Sequence, residues 1–136
     1  MTPVAELTDT FAVAGQIQPS DVAEFARQGY QVLICNRPDD EEMNQPSMDT
    51  IEAACGAAGI TLVRYPVTAM SFPGDDLAAM EDAMSGEVKT LAYCRSGARS
   101  ANLWVAMLAG DDRTAAAQRA QQFGIPLTFV MQLGFS

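Results

Sequence analysis

The chain has 136 residues, enough to bury a real core in one domain but not in two. With 49% apolar and 18% charged residues it is globular rather than disordered. A formal charge of −9 argues against nucleic acid and anionic membrane surfaces as partners. Histidine is absent, which excludes Ser-His and Cys-His catalytic pairs and any His-ligated zinc or iron. Three scattered cysteines suit neither a disulfide framework nor a four-thiolate metal site. No apolar run is long enough to cross a bilayer, and Met1 to Glu6 lacks the basic and apolar regions of an export signal. A reduced, cytoplasmic, cofactor-free protein is the expectation.

The pattern is one of short β-type runs alternating with helical ones. Phe11 to Ala14 reads as a strand ending at Gly15. Pro19 and Asp21 open a helix whose Val22, Phe25 and Ala26 share a face and whose stop is Gly29. Tyr30 to Cys35, apolar except for Gln31, predicts a strand buried on both faces, ended by Asn36-Arg37-Pro38. Residues 39–47 form an acidic loop. Ile51, Ala54, Cys55 and Ala58 lie at helical spacing before Gly59, and Thr61 to Val67 is the next strand. A loop with Pro73-Gly74 leads to a helix burying Leu77, Met80 and Met84, ended by Gly86. Val88 to Tyr93 is another buried strand, followed by a helix from near Ser100 that carries Leu103, Trp104, Met107 and Leu108. A fifth helix is expected over Asp112 to Phe123, and the apolar tail from Pro126 to Phe135 should pack on the body. The alternation predicts a single α/β domain over residues 1–136, with a mainly parallel central sheet covered by helices on both faces. Ligands bind at the carboxyl ends of such strands. That edge should hold Cys94, Asn36, Arg37, Thr68 and Ala69.

The chemistry is concentrated in Cys94-Arg95-Ser96-Gly97-Ala98-Arg99-Ser100. A strand ends, Gly97 permits a turn that other residues resist, and a helix begins. Backbone N–H groups of Arg95, Ser96, Gly97 and Ala98 can then converge on the thiol together with the helix N-terminus. These groups and the nearby Arg95 and Arg99 favour the thiolate and would cradle an oxyanion. Arg99 suits bidentate contact with such an anion, and Ser100 can hydrogen-bond the sulfur. The competing reading, a structural cysteine before an ordinary turn, leaves a thiol, a glycine and two arginines at a ligand edge unexplained. Cys55, on the apolar face of a helix, reads as a core residue. Cys35 does too, with a resolving thiol for Cys94 as the alternative. Asn36 and Arg37 are candidate substrate contacts. For Arg37 the equal alternative is an ion pair with Asp39, Asp40, Glu41 or Glu42.

The residues Ala14-Gly15-Gln16, Asp21, Gly29, Asn36-Arg37-Pro38-Asp39, Glu41-Glu42, Gln45-Pro46, Tyr65-Pro66-Val67, Ala92 to Ser100 and Trp104 together resemble one bacterial family. It is the phosphatase-like domain of the beta-lactamase-hydrolase-like proteins, also classed as a sulfurtransferase family, and the match runs from about residue 11 to residue 108. The resemblance implies a dual-specificity-phosphatase-like fold, a nucleophile at Cys94 and an anion-binding arginine at Arg99. It also implies a setting in sulfide or persulfide metabolism, since some relatives are fused or adjacent to persulfide dioxygenases.

The residues themselves divide the two chemistries. Cysteine phosphatases have five residues between nucleophile and arginine, whereas only Arg95 to Ala98 intervene here, as in rhodaneses. Phosphatases protonate the leaving oxygen from an aspartate after the strand expected at Thr61 to Val67, but Thr68, Ala69, Met70 and Ser71 follow it here. The phosphatase histidine before the cysteine is Tyr93. Sulfur transfer from thiosulfate or a persulfide to a thiol or cyanide needs no acid. The expectation is therefore a rhodanese-type sulfurtransferase working through a Cys94 persulfide on a small anionic sulfur substrate with a thiol acceptor. The alternatives are a cysteine-dependent phosphatase through a Cys94 phosphocysteine, and a non-enzymatic anion-binding or persulfide-sensing module.

Overall fold

The structure is a computed structural model and describes residues 2–134. Its strands are β1 (Val4–Glu6), β2 (Phe11–Ala14), β3 (Val32–Cys35), β4 (Thr61–Arg64) and β5 (Thr90–Tyr93). Its helices are α1 (Val22–Arg27), α2 (Met48–Ala58), α3 (Leu77–Met84), α4 (Ala98–Met107), α5 (Gly110–Gln122) and α6 (Thr128–Gln132). The sheet order is β1-β2-β5-β3-β4, with β1 antiparallel to β2 and the other pairings parallel. The expected single-domain α/β fold with a mainly parallel sheet is what the chain adopts.

Side chains alternate across the strands and fill two cores. Phe11, Val13, Ile34 and Ala92 meet α3, α4, α5 and α6 through Met80, Leu103, Trp104, Ala116 and Val130. Ala12, Ala14, Leu33, Cys35, Leu91 and Tyr93 meet α1 and α2 through Val22, Phe25, Ile51 and Cys55. Leu91 and Leu33 are fully buried. Each contributes about 1.5–3 kcal/mol by leaving water.

Several boundaries differ from expectation. The strand expected over Thr61 to Val67 ends at Arg64, since Pro66 has no N–H to donate to a ladder. Val67 is nonetheless buried, and its N–H bonds Asn36 O at 3.1 Å. Val88 stands outside β5 and is partly exposed. The segment opened by Pro19 begins as a 3-10 turn, Pro19–Asp21, before α1. The helix expected near Ser100 starts at Ala98. β1 was not expected; it is three residues at the sheet edge. Part of the apolar tail forms α6, while Phe135 lies outside the described residues.

Candidate active site

β5 lies between β2 and β3, with Tyr93 paired to Ala14 on one side and Cys35 on the other. Cys94 therefore emerges in the crevice between the carboxyl ends of two neighbouring strands, where open α/β sheets bind ligands. Its N–H bonds Ala14 O at 3.3 Å. The following loop is laid against the end of β2, where Gln16 N–H donates to Arg95 O at 3.2 Å. A Cβ on Gly15 would stand 3.0 Å from that same carbonyl, so the close approach requires glycine.

Gly97 takes φ +93° and is the N-cap of α4. This turn aims its N–H at the Cys94 sulfur, 3.1 Å away. The sulfur thus sits 1% exposed on a backbone donor at the positive end of a ten-residue helix. Gly97→Ala should cost about 1–2 kcal/mol through backbone strain alone, because the nearest atoms to the new Cβ are at 3.5 Å. Urea unfolding measures this, and an unchanged midpoint would show that the loop does not need its left-handed residue.

Arg99 is 11% exposed at the side chain and turns its guanidinium to Glu41. Nη1 donates to Glu41 Oε2 at 2.9 Å and to Val67 O at 2.8 Å, and Nη2 donates to Glu41 Oε1 at 2.7 Å. Burial works against the charge on Arg99, but its hydrogen bonds to Glu41 and its interactions with Cys94 and Glu41 outweigh it. Its pKa stands above the ordinary arginine value. Hydrogen bonds from Arg99 and, less strongly, from Arg37 hold Glu41 below the usual carboxylate range, against an opposing push from burial.

The other expected site residues divide. Arg37 is an ion-pair partner of the acidic loop, donating to Glu41 at 2.9 Å and Glu42 at 2.6 Å, and also to Gln16 at 3.0 Å. It is 2% exposed at the side chain, so this arrangement, rather than open contact with solvent, describes it. Asn36 is fully buried, with Nδ2 bonded to Tyr65 O at 2.9 Å, tying β3 to the segment after β4. Arg95 is 67% exposed and pairs with Glu42 at 3.1 Å. Ser96 is exposed and Ala98 opens α4. Ser100 Oγ is buried but makes no hydrogen bond, so the expected bond to the sulfur is not formed. The sulfur's donor is the Gly97 N–H instead.

Cys35 shares the α1/α2 core with Tyr93, and its thiol faces Arg37 O at 3.2 Å. Burial, first of all, pushes the Cys35 thiol up. That environment favours the core reading over a resolving thiol. Cys55 is in the same core and its thiol is pushed up to about 11 by burial.

Around the mouth, Thr68 and Ser71 bond each other in the turn after β4 and carry no carboxyl group. Asp76 is the N-cap of α3, accepting from Ala79 N–H at 3.2 Å. Sequence reasoning placed Glu41 in the acidic loop but did not connect it to Arg99. The two are 58 positions apart and nothing local signals the pair. Among the described residues, no group of three or more Cys, Asp or Glu is arranged to hold a metal, and no helix is long and apolar enough to cross a membrane.

This sheet, with a cysteine at the end of its middle strand and an arginine in the first turn of the next helix, defines a phosphatase-like fold with a cysteine-centred loop. A mouse protein described as a candidate dual-specificity phosphatase, solved with zinc tungstate, shares the fold at a TM-score of 0.62 and 20% identity, over 97% of this chain and 84% of its own. A candidate phosphatase from Neisseria meningitidis Z2491 aligns with a TM-score of 0.75 and 32% identity, over 94% of both chains. The family model described as Beta-lactamase hydrolase-like protein, phosphatase-like domain, matches residues 4–111. A Beta-lactamase hydrolase-like protein of Xylella fastidiosa (strain Temecula1) is 34% identical over 102 residues, 74% of this chain. The chain belongs to the family of that phosphatase-like domain. It spans about a quarter of the length of the curated relatives it matches.

Proposed function

We propose that the chain is a cysteine-dependent phosphatase-type enzyme in which Cys94 is the nucleophile, Arg99 the oxyanion fork and the 95–98 backbone the cradle. One observation carries this: the Cys94 sulfur sits on the Gly97 N–H at the start of α4 with Arg99 in the same turn, on a phosphatase-like fold. The thiolate attacks the phosphorus of a monoester, the S–P bond forms and the ester P–O bond breaks. Water then cleaves the phosphocysteine to orthophosphate and regenerates the thiolate. The turn after β4 offers no acid, so an alkoxide leaves slowly and a phenolate leaves without help. Aryl phosphates with acidic phenols are therefore the substrate class.

A second reading, sulfur transfer, is favoured by the four-residue spacing between Cys94 and Arg99 and by the capping role of Asp76. Cys94 would attack the outer sulfur of thiosulfate, sulfite would depart, and a thiol would take the outer sulfur from the resulting persulfide. On this reading a persulfide dioxygenase is a natural neighbour. The family and the solved neighbours weigh on the phosphatase side, which is why sulfur transfer, foremost in the sequence, stands second.

Intact-mass measurement after thiosulfate, beside turnover of an aryl phosphate, separates them. Aryl phosphate hydrolysis with no sulfur gain supports the first reading. Gain of one sulfur atom, removed again by cyanide, with negligible hydrolysis supports the second. Asp75 and Asp76 stand just ahead of α3, and fast hydrolysis of alkyl phosphates that Asp75→Asn or Asp76→Asn abolishes would mean that one of these distant aspartates protonates the leaving group.

A further inference from the structure

An arginine side chain has five N–H donors. In Arg99 three are committed: both hydrogens of Nη1, to Glu41 Oε2 and Val67 O, and one of Nη2, to Glu41 Oε1. What remains is the Nε–H and the second Nη2 hydrogen, two parallel donors along one edge of the guanidinium. That edge has the fork geometry that takes two oxygens of an oxyanion.

Glu41 is itself held from behind. Its Oε1 also accepts from Arg37 Nε at 2.9 Å. The Glu41 and Glu42 N–H groups donate to Gln45 Oε1 at 3.2 and 3.3 Å, and Gln45 Nε2 donates to Pro38 O at 2.9 Å. The charges run in alternation from Arg99 to Glu41, Arg37, Glu42 and Arg95. The middle member is the buried one and stands two residues after the end of β3, so the chain of charges is anchored to the sheet.

We propose that Glu41, backed by the buried Arg37, is a positioning residue that locks Arg99 with its Nε–Nη2 edge toward the oxyanion over Cys94. The proposal rests on the anion-site reading above and holds for a phosphoryl or a sulfur-bearing substrate alike. It assigns Arg37 a role through Glu41 and Glu42 instead of at the substrate. An arginine already fixed on one edge loses little freedom when an anion arrives on the other, and small misplacements of such a group lower binding and rate strongly.

The charge of Glu41 alone acts in the opposite direction, because a carboxylate beside the site repels an incoming anion. Two variants separate the effects: Glu41→Ala and Glu41→Gln remove the same charge, but glutamine keeps an acceptor for Arg99. The readout is the tungstate concentration that half-protects Cys94 from iodoacetamide, with the unprotected alkylation rate and the thermal midpoint recorded for each protein. Glu41→Ala should raise that concentration about tenfold, and Glu41→Gln by clearly less. If both variants bind tungstate as tightly as the wild type or tighter, Glu41 is only a competing charge and the positioning role is overturned. No protection of the wild type at any concentration removes the anion site itself, and the proposal with it.

Discussion

Cys94→Ser should abolish covalent group transfer, lowering turnover of an aryl phosphate by about four orders of magnitude or more, with the same variant gaining no sulfur from thiosulfate. The reason lies in the position as much as in the atom. The side chain at 94 is almost fully buried at the end of the middle strand and receives a backbone N–H at 3.1 Å. The sulfur receives the Gly97 N–H at the start of α4, with Arg99 in the same turn. A serine hydroxyl in the same place is a far weaker acid and stays neutral, so the cradle has no anion to stabilise and the attack step fails. The substitution is nearly isosteric, and the protein should keep its thermal midpoint within about 1 kcal/mol of stability. Steady-state kinetics and a melt on the same sample check both halves. Residual activity above one part in a hundred would mean that another group, not Cys94, carries the reaction.

What the sequence makes legible here is local. The run Val88 to Tyr93 announces a strand whose Thr90–Tyr93 part is buried on both faces, and the glycine and arginines after Cys94 announce a turn into a helix. Gly97 at φ +93° and the bond from its N–H to the sulfur realise that reading directly. The order of the strands, with β5 inserted between β2 and β3, is carried by no short segment, yet it is what brings Gly15 and Asn36 to flank the loop. β1 was missed because three residues, Val-Ala-Glu, hold no periodicity to detect. The Arg37 alternatives could not be ranked from composition, since four acids follow it within five residues. Among those acids, the ion pairs at 2.9 and 2.6 Å pick out Glu41 and Glu42. The Glu41–Arg99 contact was illegible for a different reason. It joins an irregular loop to a helix across 58 positions, and long-range polar pairs leave no local pattern.

Arg99→Lys is expected to lower kcat/KM about a hundredfold for whichever substrate class the enzyme takes, and Arg99→Ala about a thousandfold. Lysine keeps the positive charge and can still reach toward Glu41, so a site that needed only charge would tolerate it. The geometry asks for more. Arg99 holds two oxygens of Glu41 and the Val67 carbonyl at once, and one edge of its guanidinium is left over for an oxyanion. An ammonium has three donors on one nitrogen and cannot bridge a carboxylate, a carbonyl and an oxyanion on three sides. In the lysine variant the single charge should collapse onto Glu41, whose carboxylate stays ionised because its partner is still a cation, and the anion edge is lost. Two measurements on each protein distinguish this from simple misfolding. The tungstate concentration that half-protects Cys94 should rise in step with the loss in kcat/KM, while neutral iodoacetamide still alkylates Cys94 in the absence of anion. Lysine with kcat/KM within threefold of the wild type would show that the fork is unnecessary and that Arg99 acts only as a charge.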